Sequence, residues 1–201
     1  MIIVFLGPPG SGKGTQAARL AARSGIPAIS TGEMLRQAAA EGTPLGLRAK
    51  GIMDAGELLP DGVIVALIRE RIARPDAAKG FLLDGFPRTS GQAEAFRKML
   101  SEAGLKVDAA VNLLVDEGRL IERMAHRGRV EGRSDDNPET IRARLRVYRE
   151  KTAPLVAWFE REGTLVNVDG LGEIEEVSGR IDDAIAHAGE HAAGRTAGGR
   201  A

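Results

Sequence analysis

The sequence predicts an α/β domain built on a mostly parallel five-stranded sheet. Three observations carry that expectation. Short apolar runs alternate with stretches of helical composition along most of the 201 residues. Each run is apolar nearly throughout, as strands covered on both faces must be. Two stretches, residues 30–59 and 126–136, break the alternation and fit insertions over the strand ends.

Met1–Leu6 reads as the first strand and ends in a Gly-rich turn, Gly7–Gly14. Thr15–Ser24 has helical composition and stops at Gly25. Ile26–Ser30 reads as a second strand, and Thr31 as the cap of a helix running to about Ala40. Glu41–Leu59 reads as short helices broken at Gly42, Gly51 and Gly56. Pro60 opens a helix over Asp61–Ala73 with Val63, Leu67 and Ile68 on one face. Lys79–Asp84 is the third strand, Thr89–Ala103 a helix and Ala109–Val115 the fourth strand. Glu117–His126 follows as a helix and Arg127–Asp136 as a polar loop. Pro138 fits the first turn of a long helix reaching Glu162, bent near Pro154. Thr164–Val168 is the fifth strand and Glu173–Ala188 the last helix. Residues 189–201 have little to bury, so a disordered tail is expected there.

Lys+Arg and Asp+Glu each number 28, so the net charge is zero and no nucleic-acid partner is expected. There is no cysteine, which excludes thiolate zinc sites, Cys nucleophiles and iron–sulfur clusters. No apolar run exceeds the six residues of Met1–Leu6, too short to span a membrane, and that run lacks the basic flank and the length of a signal peptide. A cytoplasmic monomer without membrane partners is expected. Within the neutral balance, 22 of the 28 basic residues are arginine, nine of them between Arg119 and Arg149. Such a concentration needs a local anionic target or a solvated helix face.

Gly7-Pro8-Pro9-Gly10-Ser11-Gly12-Lys13-Gly14-Thr15 lies between a strand and a helix, the context of a phosphate-binding P-loop. Its glycines let backbone N–H groups converge on phosphate oxygens. The following helix adds its positive end, and Lys13 a point charge. Gly14 stands where the strict pattern has Ser or Thr. Asp84, closing the third strand, is placed to hold a magnesium ion through water.

Residues 7–16 (Gly-Pro-Pro-Gly-Ser-Gly-Lys-Gly-Thr-Gln), 30–36 (Ser-Thr-Gly-Glu-Met-Leu-Arg), 82–89 (Leu-Leu-Asp-Gly-Phe-Pro-Arg-Thr) and 132–137 (Gly-Arg-Ser-Asp-Asp-Asn) together resemble adenylate kinases. The matches come in that family's order over essentially residues 1–188. They also account for Gly14, since the family's loop reads Gly-Lys-Gly-Thr. The resemblance implies a P-loop three-layer sandwich forming one domain, 1–188. Its core would be 1–29, 60–125 and 137–188, with an NMP-binding insertion at 30–59 and a short lid at 126–136. The lid lacks the zinc-carrying insertion of many bacterial members, so no structural zinc is expected. The implied reaction is reversible phosphoryl transfer from MgATP to AMP, giving two ADP.

The same resemblance assigns residues. Gly10, Ser11, Gly12, Lys13, Gly14 and Thr15 are expected on the ATP phosphates. Arg123 is expected along the ATP base, with Gly170 and Gly172 beside it, and Arg127 on the phosphates. Thr31, Arg36, the Glu57, Leu58 and Leu59 backbone, Gly85, Phe86, Pro87, Arg88 and Gln92 are expected around AMP. Arg133 and Arg144 would bridge the two phosphate chains.

The residues alone agree on one point. At 100° per residue, Ile141, Leu145, Tyr148, Thr152, Leu155 and Phe159 share one helix face. Arg142, Arg146 and Arg149 fall together on a flank and read as solvated. Arg144 stands alone on the opposite edge, placed to reach inward. Asp135 and Asp136 fit either positioning lid arginines or capping the next helix, a role Asn137 also suits. Two other readings remain: a UMP/CMP-type kinase, and a non-catalytic P-loop nucleotide-binding module.

Overall fold

A computed structural model describes the backbone of residues 1–197 and the side chains of residues 1–187. Its five strands are β1 (Ile2–Leu6), β2 (Ala28–Ser30), β3 (Phe81–Asp84), β4 (Ala109–Leu114) and β5 (Leu165–Asp169). They form one sheet in the order β2-β3-β1-β4-β5, every neighbour parallel. The expected five-stranded α/β sandwich is therefore present. The nine helices of the described residues are α1 (Lys13–Ser24), α2 (Thr31–Ala40), α3 (Pro44–Asp54), α4 (Asp61–Ile72), α5 (Ser90–Glu102), α6 (Glu117–Glu131), α7 (Pro138–Val147), α8 (Pro154–Arg161) and α9 (Ile174–Ala197).

The apolar runs are continuous because each strand feeds two cores. Ile2, Val4 and Leu6 face one side, packing with Phe86, Phe96, Leu155 and Phe159. Ile3 and Phe5 face the other, with Leu20 of α1 and Val177 and Ile181 of α9. The pleat's period of two assigns alternate residues to opposite layers. Register then sets the site: Phe5 pairs with Asp84, and Ser30 with Asp84 from the other side. The P-loop, Asp84 and the start of α2 thus meet at the strands' carboxyl ends.

Several boundaries correct the sequence reading. α3 continues through Gly51. Thr43 caps it by accepting from the Gly46 N–H and Pro44 starts it, which offsets the roughly 1 kcal/mol of an internal glycine. Thr31 does not cap α2; it is the helix's first residue, and its hydroxyl donates to the Gly85 carbonyl at 2.9 Å.

α6 runs past His126 to Glu131 and ends at Gly132, φ 65°, so much of the expected polar loop is helix. Gly128 lies inside it because the chain comes back close: a Cβ there would sit 2.9 Å from the Asp136 Cβ. The bend before Pro154 takes the form of a π turn over Tyr148–Thr152. Proline has no N–H to donate, and the Ala153 N–H reaches back five residues to the Tyr148 carbonyl at 2.8 Å. α9 extends to Ala197 where a tail was expected from 189. The rest of the expected tail, 198–201, lies outside the described residues.

Candidate active site

The P-loop leaves β1 at Leu6 and enters α1 at Lys13. Gly10 and Gly12 have φ of 84° and 92°, a conformation in which an L side chain is strained. The Ser11 N–H donates to the Pro8 carbonyl at 3.2 Å, and Ser11 itself is buried below the cavity lining. The Lys13 ammonium donates to the Gly7 and Pro8 carbonyls at 2.8 and 2.7 Å and to the Ser11 hydroxyl at 3.3 Å. Burial pushes its pKa down to about 8; Asp84 pulls the other way, while Arg88, Arg144 and Arg127 add to the lowering. Asp84 accepts from the Ser30 hydroxyl at 3.3 Å.

A cavity of about 320 Å³ opens over this loop. Gly10, Gly12, Gly14 and Thr15 line it, as does Pro87. Six cations also face it, Lys13, Arg36, Arg88, Arg127, Arg133 and Arg144, against three carboxylates, Glu33, Asp84 and Glu131. Burial lowers the pKa of Arg36 and Arg88, and the neighbouring charge adds to it: Arg133 on Arg36, Arg144 on Arg88. Burial lowers Arg144 as well, against the pull of Asp135 and Asp136. Guanidinium groups that are both desolvated and mutually repelled form a site for a polyanion.

The arginines are held from behind. Arg127 forks onto Asp136 at 2.6 and 2.9 Å. Arg144 donates to the same carboxylate at 2.6 Å, and to the Asp135 carbonyl and carboxylate at 3.0 and 3.1 Å. The Asp136 side chain has no exposed area. Burial alone would push Asp136 up, but the Arg127 hydrogen bond and the charges of Arg127, Arg144 and Arg133 hold it below the usual carboxylate range. Asp136 therefore positions arginines, while Asn137 caps α7 by accepting from the Thr140 N–H. Arg133 pairs with Glu131 at 2.6 Å.

The arginines of this stretch divide by exposure. Arg144 of α7 is 17% exposed, whereas Arg146 of α7 and Arg149 in the π turn are 60% and 61% exposed. The exposed pair reach Glu57 and Glu117 rather than acids on their own helix.

Beside the main cavity lies a smaller pocket. Leu35, Met53, Leu59 and Ile64 form its apolar walls, and Thr31, Arg88 and Gln92 its polar end, with Glu57, Leu58 and Gly85 between. Gly32, Leu58, Gly85 and Arg88 line both, so the two join. Phe86 lines neither. It is fully buried, edge-on to Phe96 at 5.4 Å, because the strand-end turn directs it into the core. Arg123 and Gly170 come together at the end of β5, both terminal nitrogens 3.5 Å from the Gly170 carbonyl. They and Gly172 line neither pocket.

Sequence reasoning missed three contributors. Tyr148 and Thr152 line the large cavity, and the Thr152 hydroxyl donates to the Arg88 carbonyl at 2.9 Å. A threonine on an otherwise apolar face was the available signal. Asp61 binds Gln92 from outside the pocket, and nothing in its local sequence marks it. Among the described residues, no group of three or more His, Cys, Asp or Glu is placed to hold a metal. Nor is any helix there long and apolar enough to cross a membrane.

A P-loop under a cation-lined cavity, on a parallel sheet of order 2-3-1-4-5, defines a P-loop phosphotransferase. Comparison narrows the class. The family model described as adenylate kinase matches residues 5–164. A protein of Thermobifida fusca (strain YX) named adenylate kinase is 51% identical over 185 residues, 92% of this chain and 98% of that protein. Adenylate kinases of Sinorhizobium medicae (strain WSM419) and Xanthomonas euvesicatoria are 50% and 49% identical, each over 92% of this chain and 100% and 99% of theirs. The chain belongs to the adenylate kinase family and is an enzyme.

Proposed function

We propose that the chain transfers the γ-phosphoryl group of MgATP reversibly to AMP, giving two ADP. The observation that carries this reading is the excess of cations, six against three carboxylates, around a cavity with the P-loop on its floor and an apolar, polar-ended pocket opening from it. The pocket suits a purine, and Arg88 at the junction suits its phosphate.

An AMP phosphate oxygen, already ionised at neutral pH, bonds to the γ-phosphorus. The bond to the β–γ bridging oxygen breaks, and the leaving ADP keeps the electron pair. No proton must move, so no general base is required. The obstacle is repulsion between two polyanions brought end to end. Fixed guanidinium groups remove it without reorganising during the reaction. In this reading Lys13 and Arg127 hold the ATP phosphates, Arg36 and Arg88 the AMP phosphate, and Arg133 and Arg144 the reacting oxygens between. Arg123 lies along the ATP base.

Asp84 fits the magnesium ion of MgATP. It is a hard oxygen donor lining the phosphate cavity, and among the described residues the Ser30 hydroxyl is its one hydrogen-bond partner. Magnesium keeps several waters and few protein ligands, so one carboxylate suffices. When bound, the ion would neutralise phosphate charge.

The reading includes a cytoplasmic monomer. Initial rates with ATP and each of AMP, UMP, CMP and GMP test the substrate. AMP is expected to be fastest. A faster UMP or CMP would transfer the reading to a pyrimidine kinase, and no ADP with any of them would overturn transfer to a nucleoside monophosphate.

A further inference from the structure

Gln92 is 2% exposed, and both ends of its amide are already engaged by protein partners, one of them outside the pocket it lines. Its Oε1 accepts from the Arg88 backbone N–H at 2.8 Å. Its Nε2 donates to Asp61 Oδ1 at 2.8 Å. The other oxygen of Asp61 accepts from the Thr89 hydroxyl at 2.8 Å, and Thr89 in turn accepts from the Gln92 N–H at 3.1 Å.

These partners leave no choice of amide orientation. A backbone N–H only donates and a carboxylate only accepts. Turning the amide over would set donor against donor at Arg88 and acceptor against acceptor at Asp61. One Oε1 lone pair and one Nε2–H remain for the pocket, in fixed positions. An adenine edge offers the complement, an exocyclic amine that donates beside a ring nitrogen that accepts. A 6-oxopurine puts an acceptor where adenine has its donor. A freely turning glutamine would adapt to either base; a fixed one discriminates.

We infer that Asp61, at the first turn of α4 and outside the pocket, is a positioning residue for base selection: together with the Arg88 N–H it locks the Gln92 amide in the orientation that reads a 6-amino purine. This deepens the reading of the small pocket as the AMP site and rests on it. Asp61 touches no substrate and acts only through Gln92 and Thr89.

The test is the ratio of kcat/KM for AMP to that for IMP, with ATP as donor. The ratio is internal to each preparation, so partial loss of folded enzyme cancels. Asp61→Ala is expected to lower it roughly tenfold, the worth of one discriminating hydrogen bond. Asp61→Leu, similar in shape but without polar atoms, is expected to do the same should the alanine variant fail to fold. Asp61→Asn is expected to keep most of the ratio, because its amide oxygen still accepts from Gln92 while Thr89 rotates to accept from its NH₂. A ratio unchanged in Asp61→Ala and Asp61→Leu, while Gln92→Leu lowers it, would overturn the positioning role and leave the pocket assignment standing. A ratio unchanged in Gln92→Leu would overturn the base-reading assignment of Gln92 itself, and this inference with it.

Discussion

The Ser134 hydroxyl donates to the Asp54 carboxylate at 2.6 Å, tying the turn after α6 to the end of α3. The Asp54 carbonyl also accepts from the Thr140 hydroxyl at 2.7 Å. The two segments that broke the strand–helix alternation therefore meet on one residue. If they act as covers that close on bound nucleotides and exclude water, this contact belongs to the closed arrangement. Ser134→Ala is expected to raise KM for ATP and AMP about threefold, the worth of one exposed hydrogen bond, with little change in kcat. Fluorescence distances between the segments should lengthen in the ligand-free variant. Unchanged KM values and distances would remove the contact from the closing motion.

Arginines of α7 separate role from residue type. Arg144→Ala is expected to lower kcat at least 100-fold, about 3 kcal/mol of transition-state stabilisation. Arg144→Lys should recover little, because an ammonium lacks the fork that spans two oxygens. Arg146→Ala and Arg142→Ala, on the solvated flank, should stay within about 0.5 kcal/mol of the parent in stability and activity. Steady-state kinetics on the four variants decide it; equal losses at Arg144 and Arg146 would mean that general positive charge, not placement, matters.

Much of this was legible beforehand. The P-loop between strand and helix, and Asp84 at a strand end, are written in local order, which register then brings together. Arg144 was separable from Arg142, Arg146 and Arg149 because helix periodicity is fixed. What escaped depended on contacts distant in sequence. The α6 extension is set by a returning chain at Asp136 that only Gly128 accommodates, and the fixed amide of Gln92 needs a partner 31 residues away. Motif reading also cannot tell a side chain facing the cavity from one buried behind it, as at Phe86 and Ser11.

Asp136 supports two arginines with one fully buried carboxylate. Asp136→Asn is expected to destabilise the protein by about 3 kcal/mol at pH 7, the low end for a broken buried pair because Arg127 and Arg144 keep some exposure. The Arg127 and Arg144 guanidinium groups hold the native pKa below an aspartate's ordinary 3.8, so this stabilisation is present above pH 3.8 and lost as pH falls through the lowered native value. Thermal melts of both proteins should converge towards that acid range. A gap unchanged down to pH 2 would contradict the ion-pair explanation.

Lys13 makes ATP binding pH-dependent. With a ligand-free pKa of about 8, half of the enzyme carries a neutral Lys13 at that pH. A triphosphate stabilises the ammonium and raises its pKa, so binding above pH 8 takes up protons and affinity falls as pH rises. Calorimetry at pH 8.5 in buffers of different ionisation enthalpy should show fractional proton uptake, absent in Lys13→Met. Identical enthalpies across buffers for the parent enzyme would rule this out.

The decisive observation is the fate of the γ-phosphoryl group. Phosphorus NMR of the enzyme with ATP, magnesium and AMP should show ATP and AMP disappearing together, two ADP appearing for each ATP consumed, and no inorganic phosphate. Release of inorganic phosphate with AMP untouched would mean that the six cations do not hold a second nucleotide against the first.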